Sequence, residues 1–156
     1  MGLEELFGRI EKRFGKEAVV GNDIKVDTVS SGSMALDEIL GGGFALGRIH
    51  EIYGGFSSGK SSAALHLSAS VQKTLGKAVG YVDTEQALDL EYAKALGVDL
   101  SRDKWIMSQP DSAEQALEIV REMLEVPEIG LVGRRCKNSA CSASYVTAAK
   151  YLKECM

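Results

Sequence analysis

Gly54, four residues, then Gly59, Lys60 and Ser61, within the stretch YGGFSSGKSS from Tyr53 to Ser62, leave few folds open to this chain. The spacing is G-x-x-x-x-G-K-[ST], and it lies between a strand-like run, RIHEIY, and a helix-like run from about Lys60 to Leu75. Glycine at both ends lets the backbone pass through conformations that a Cβ forbids. Consecutive amides can then converge on one concavity at a helix N-terminus, which is a nest for an anion. The loop Gly54, Gly55, Phe56, Ser57, Ser58 and Gly59 is therefore expected to cradle phosphates. Lys60 is expected to reach the β and γ phosphates as a point charge, and the Ser61 hydroxyl to sit on Mg²⁺.

The rest of the chain alternates in the rhythm such a loop needs. After RIHEIY and the first helix come strand AVGYVD, a helix around Leu90 to Leu96, strand KWIMS, a helix from Ser112 to Leu124 and strand EIGLV. Strands separated by helices predict an α/β fold with a mainly parallel sheet and helical crossovers. Ser112 offers a side-chain cap to the last of these helices, and Pro127 marks its end. With 156 residues, 45% of them hydrophobic and 26% charged, one buried core is within reach. A formal net charge of −4 excludes a body that grips nucleic acid by bulk charge alone, so any such contact has to be local or assembled. No apolar run approaches the roughly 18 residues that span a bilayer, and MGLEELFGRIEKRFGKE is amphipathic rather than a secretory signal, so a cytoplasmic address is expected.

Residues 3 to 14 place Leu3, Leu6, Phe7, Ile10 and Phe14 on one helical face. Such a stripe has to be covered, by its own domain or by a neighbouring subunit. Strand-like runs follow at Val19 to Val20 and Ile24 to Val29. At the other side of the loop, AVGYVD runs into DTEQALD and delivers Asp83, Glu85 and Asp89 to the carboxyl edge of the sheet, where ligands of open α/β folds sit. Glu85 is the candidate to orient and deprotonate an attacking water, with Lys60 neutralising charge, since hydrolysis of a γ-phosphate asks for little beyond positioning and such a base. The alternative is that all three carboxylates are solvated turn residues. His50 and His66 lack a second ligand at metal spacing and read as packing or surface residues. Cys136, Cys141 and Cys155 match no CxxC or zinc pattern and read as free thiols.

Taken together, IEKRFGKEAV, VSSGSMALDEILGGG, GRIHEIYGGFSSGKSS, VDTEQALDLEYAKALGVDL and SQPDSAEQALEI resemble the RecA family of bacterial recombinases, over roughly Leu3 to Val132. KaiC-like and helicase-like ATPases share GSxxLDxxLGGG and the phosphate loop, but are not expected to keep DTEQALDLEYAKALGVDL so fully. The resemblance implies a RecA-like P-loop NTPase core, here incomplete, preceded by an N-terminal arm. It divides the chain into an oligomerisation arm and connector at 1–32, a partial ATP-binding core at 33–132 and a divergent tail at 133–156. It also implies ATP with Mg²⁺ on Gly54 to Ser61 with Ser62 beside it, Glu85 as the carboxylate that polarises water, and Asp89 and Tyr92 on the adenine. Residues 3 to 21 would dock on an adjacent protomer. The implied activity is DNA-dependent ATP hydrolysis that drives filament formation on single-stranded DNA and strand exchange, in recombination, DNA repair and the SOS response.

The resemblance departs mildly at Gln86, where a histidine is common, and sharply after Val132. In the family that strand runs on to an aspartate which supports Mg²⁺; here Gly133, Arg134, Arg135 and Cys136 follow. The arginines either repel the metal, fold away or touch phosphate. A short helix is expected from Ala143 to Glu154. The family's DNA-binding loops have no counterpart in the sequence, so turnover is expected to be weak or absent, and the shortened sheet is expected to leave apolar surface and an open strand edge that favour aggregation. The alternative function is a nucleotide-binding module that caps recombinase filaments without hydrolysing ATP.

Overall fold

The computed structural model describes residues 2–15, 18, 26–135 and 144–148. Helix α1, Leu3–Phe14, carries Glu4 and Glu5 in its first turn and Lys12 and Arg13 in its last, which complements the helix dipole. None of its side chains is buried: the expected stripe is present, with Leu3 and Phe14 each about two-thirds exposed or more. Strand β1, Thr28–Val29, pairs antiparallel with β2, Phe44–Ala45, and helix α2, Met34–Ile39, lies between them in sequence. Gly43 permits this pairing. Its φ is 114°, and a Cβ there would lie 2.2 Å from the Val29 carbonyl oxygen. Asp37 ties α2 to the preceding turn by accepting from Ser30 Oγ at 2.5 Å and from the Ser31 amide at 2.7 Å. These bonds, the Ser30 hydroxyl first, hold its carboxyl below the usual carboxylate range.

The main sheet is built from β3 (Ile49–Ile52), β4 (Ala78–Asp83), β5 (Trp105–Ser108), β6 (Ile129–Arg135) and β7 (Ser144–Ala148), in the order β3-β7-β6-β4-β5. Helices α3 (Lys60–Leu75), α4 (Leu90–Ala95) and α5 (Ala113–Glu125) form the crossovers. The parallel α/β expectation holds where sequence gave it: β4 runs parallel to both β5 and β6. Every residue of β4 is buried, as a central parallel strand covered on both faces requires. Val79 and Tyr81 face the cluster formed with Leu65, Leu67 and Val71 of α3, while Ala78 and Val82 face Ala116 and Met123 of α5. A register shift at Ala78/Val79 leaves Gly130 extra, so Ile129 and Leu131 serve opposite faces. Burying each of these larger aliphatics contributes roughly 1.5–3 kcal/mol before the entropy of ordering them is subtracted. Ser112 caps α5 as expected, accepting from the Gln115 amide.

Two features of the C-terminal part differ from the sequence reading. Strand β6 does not stop at Val132: pairing with β4 continues through Gly133, Arg134 and Arg135, the last opposite Asp83. The backbone ladder is indifferent to side-chain charge at an edge, so the strand extends for as long as its neighbour does. Within the helix expected from Ala143 to Glu154, residues 144–148 instead form β7, antiparallel to both β6 and β3. The segment SYVTA is rich in β-formers, and β3 and β6 each present unpaired backbone groups on either side of it. The remainder of that expected helix, the three cysteines, and the strand-like residues 19–25 lie outside the described residues. Among the described residues, no helix is long and apolar enough to cross a membrane.

Candidate phosphate-binding site

The turn joining β3 to α3 has the conformation its glycines anticipate. Ser57 and Gly59 both take positive φ, 56° and 85°, which curls the loop. A Cβ on Gly54 would lie 2.9 Å from Ser58 Oγ, so only glycine permits this closure without a shift. Helix α3 then starts at Lys60, and the first-turn amides have no acceptor within the helix. Lys60 is 8% exposed, and its Nζ donates to Gly54 O at 3.0 Å, Gly55 O at 2.6 Å and Ser58 Oγ at 3.3 Å. A buried ammonium held by neutral oxygens, above a helix N-terminus, is a strong local field for an anion. The donor set therefore fits a polyphosphate. Phe56 is almost fully exposed at the tip of the loop.

Next to this turn, Tyr92 Oη donates to Ser62 Oγ at 3.0 Å, so the ring stands beside the phosphate loop while remaining about half exposed. Asp89 is the N-cap of α4 and accepts the Tyr92 amide at 3.0 Å. The structure thus brings Lys60, Ser62, Tyr92 and Asp89 into one neighbourhood, with Ser61 half-buried in the first turn of α3. A separate groove of about 620 Å³ runs along α3 past Gln72, Asp99 and Lys104, away from these residues.

The carboxylates at the sheet edge are sorted into different jobs. Asp83 is fully buried and accepts three backbone amides: Glu85 N at 3.2 Å, Ala87 N at 2.9 Å and Leu88 N at 2.9 Å. It anchors the loop rather than facing solvent, so the solvated alternative fails for this residue. Its charge is also felt below, where Tyr81 stacks on Trp105 at 5.4 Å. Burial first, and then the Asp83 charge, push the Tyr81 phenol up to about 12. Glu85 is joined to Arg135, Oε2 to Nε at 2.6 Å, with 16% and 21% of the two side chains exposed. Arg135 is fixed further by Thr84 Oγ1, which donates to its carbonyl at 2.8 Å, and by its own Nη1, which donates to Ala87 O at 3.4 Å. Of the fates open to the arginines, Arg135 takes one not foreseen: it engages the candidate base.

For Mg²⁺ the fit is partial. Ser61 offers a hydroxyl in the first turn of α3, but Asp83 is committed to amides and Glu85 to a guanidinium. No group of three or more His, Cys, Asp or Glu able to hold a metal occurs among the described residues. His50 packs edge-on against Phe44 and its Nε2 lies 2.9 Å from Ala45 O; His66 lies over Gly32. Sequence reasoning missed the anchoring role of Asp83, although an aspartate closing a strand before a turn is a signal for a side chain that captures nearby amides. It had no signal for Arg135, which meets Glu85 only through strand pairing.

Comparison with known proteins bears on the family. The family model described as RecA N-terminal domain matches residues 2–133. The chain is 47% identical over 135 residues to "Protein RecA" of Acholeplasma laidlawii, covering 83% of this chain and 40% of the relative. Similarity to "Protein RecA" of Arthrospira platensis is 48% over 134 residues, 83% of this chain and 36% of the relative. With that of Latilactobacillus sakei subsp. sakei it is 53% over 122 residues, 75% of this chain and 34% of the relative. The matched part of the chain thus spans between about a third and two-fifths of the length of these relatives. The match ends where the sequence turns to Gly133, Arg134 and Arg135.

Proposed function

This chain belongs to the RecA family, and from that premise we propose that it binds ATP with Mg²⁺ on the turn between β3 and α3. The observation that carries the reading is the buried Lys60 ammonium, held by Gly54 O and Gly55 O inside a loop curled at Ser57 and Gly59. Phosphate oxygens offer that ammonium charged acceptors in place of neutral ones, at a helix N-terminus that favours the same sign. Ser61 is the residue that would hold Mg²⁺, and Tyr92 with Asp89 the pair that would meet the base. Mg²⁺, when bound, supplies neutralisation of charge on the β and γ phosphates.

Within the proposal, Glu85 receives the proton of the attacking water, and Lys60 balances charge on the transferred group. The wider role follows the family: a cytoplasmic, single-stranded-DNA-dependent ATPase that works in a filament during recombination, DNA repair and the SOS response. The exposed stripe of α1, in the arm of residues 3–21, is the surface offered to an adjacent protomer. A second reading is favoured by one contact: because Glu85 is held by Arg135, the chain binds nucleotide with little turnover and caps filaments of longer relatives.

Calorimetry with ATP and with ADP at millimolar Mg²⁺ tests the binding step. Lys60→Ala should weaken affinity by roughly tenfold to a hundredfold, the worth of one or two charge-assisted hydrogen bonds. Equal affinity of Lys60→Ala and the unaltered protein would sink the proposal.

A further inference from the structure

We propose that Arg135 is a positioning residue of the ATP site: its guanidinium latches the Glu85 carboxylate to the edge of the sheet and thereby suppresses hydrolysis without affecting nucleotide binding. The inference rests on the ATP-binding reading and deepens it by assigning a regulator of the same site.

The latch is built by the sheet. Strands β4 and β6 run parallel and place Arg135 opposite Asp83, so both chains leave the sheet at the same edge. Glu85 follows Asp83 by two residues, and its amide is fixed by the Asp83 carboxylate. Arg135 is held at both ends, through its carbonyl by Thr84 and through Nη1 by Ala87 O, so its Nε faces Glu85 at 2.6 Å without a long search through rotamers. Both side chains are about four-fifths covered, which shields the pair from the solvent screening that weakens surface ion pairs.

The chemistry explains why this matters. In hydrolysis a water oxygen bonds to the γ-phosphorus, the bond from phosphorus to the bridging oxygen of ADP breaks, and the water's proton passes to the carboxylate. With Oε2 held at short range by the Arg135 guanidinium, the Glu85 carboxylate is not free to swing onto a water lined up on the γ-phosphorus. Lys60, Ser61, Ser62 and Tyr92, by contrast, make no contact with Arg135 among the described bonds, so seating of the nucleotide is left free. Release requires only that Arg135 let go.

The test uses the full chain, with Arg135→Gln, Arg135→Lys and Glu85→Ala. Nitrogen-15 spectra of the arginine Nε–Hε groups, recorded without nucleotide, should show the Arg135 Hε, assigned by its absence in Arg135→Lys, protected from exchange in the unaltered protein and unprotected in Glu85→Ala, whose methyl group offers no acceptor. With a fluorescent ATP analogue and Mg²⁺, Arg135→Gln should bind within about twofold of the unaltered chain. Its rate of phosphate release should rise roughly tenfold or more, since a freed general base is worth a hundredfold or more to such a step. Arg135→Lys should keep the rate low, because an ammonium can still engage Glu85.

Unchanged protection of the Arg135 Hε in Glu85→Ala overturns the latch, and so does a release rate in Arg135→Gln equal to or below that of the unaltered chain. A fall in rate with binding intact would mean that Arg135 touches phosphate. Failure of the unaltered chain to bind the analogue overturns the ATP reading itself, and the latch with it. Should Arg135→Gln not fold, the Hε comparison and Arg135→Lys, which must then release phosphate no faster than the unaltered chain, still decide the outcome.

Discussion

Replacing Asp83 by asparagine keeps the shape of the side chain and removes its charge, and the structure allows the cost to be worked out. The carboxylate accepts Ala87 N and Leu88 N on one oxygen and Glu85 N on the other, inside a site with no solvent exposure. An amide has one oxygen. Aimed at Ala87 and Leu88 it keeps two weaker, neutral bonds, and its NH₂ then confronts the Glu85 amide, donor against donor. A hydrogen bond to a charged group is worth roughly 1.5–3 kcal/mol and a neutral one about 1, so exchanging three of the first for two of the second loses roughly 2.5–7 kcal/mol gross. Relief from burying a charge offsets part of this, which leaves about 2–4 kcal/mol of destabilisation. Urea denaturation should show it as a lower midpoint at constant slope. Asp89→Asn is the control: Asp89 is exposed and makes a single capping bond, and asparagine caps a helix about as well, so the change should be under about 0.5 kcal/mol. The two substitutions differ only in burial and in the number of amides held. If Asp83→Asn lies within about 0.5 kcal/mol of the unaltered chain, the anchoring role argued for Asp83 is wrong.

Tyr81 gives an alkaline signature: its folded value is raised from 10.0 to about 12, so its stabilising contribution is complete below pH 10 and is lost as pH climbs towards 12, roughly 2–3 kcal/mol in all. Absorbance titration at the tyrosinate band should show one phenol of the five lagging the others, and in Asp83→Asn that phenol should titrate earlier. Tyr81→Phe should remove this alkaline limb at little or no cost at neutral pH, because the hydroxyl is buried with no partner among the described residues. Gly43→Ala should cost about 3 kcal/mol or more, since the new methyl meets the Val29 carbonyl at 2.2 Å on a backbone at φ 114°; an unchanged melting temperature would show that the β1–β2 pairing is not as close as described.

Much of this molecule is local in origin, and that part was legible from residues alone. The loop from Gly54 to Ser61 is a short run whose glycines, lysine and serine dictate a curl at a helix start, whatever surrounds it. The same holds for AVGYVD as a buried strand and for Ser112 as a cap. The fates of Asp83, Glu85 and Asp89 were not legible, because three carboxylates within seven residues carry the same local signal. Burial made the first an anchor, the ladder between β4 and β6 brought Arg135 to the second, and the start of α4 claimed the third. Likewise SYVTA became a strand because two open backbone edges flanked it, one of them set by residues nearly a hundred positions away. Sequence determined which conformations each segment favours; only the tertiary structure decided which side chains meet, since strand pairing and burial act between segments that local patterning cannot relate.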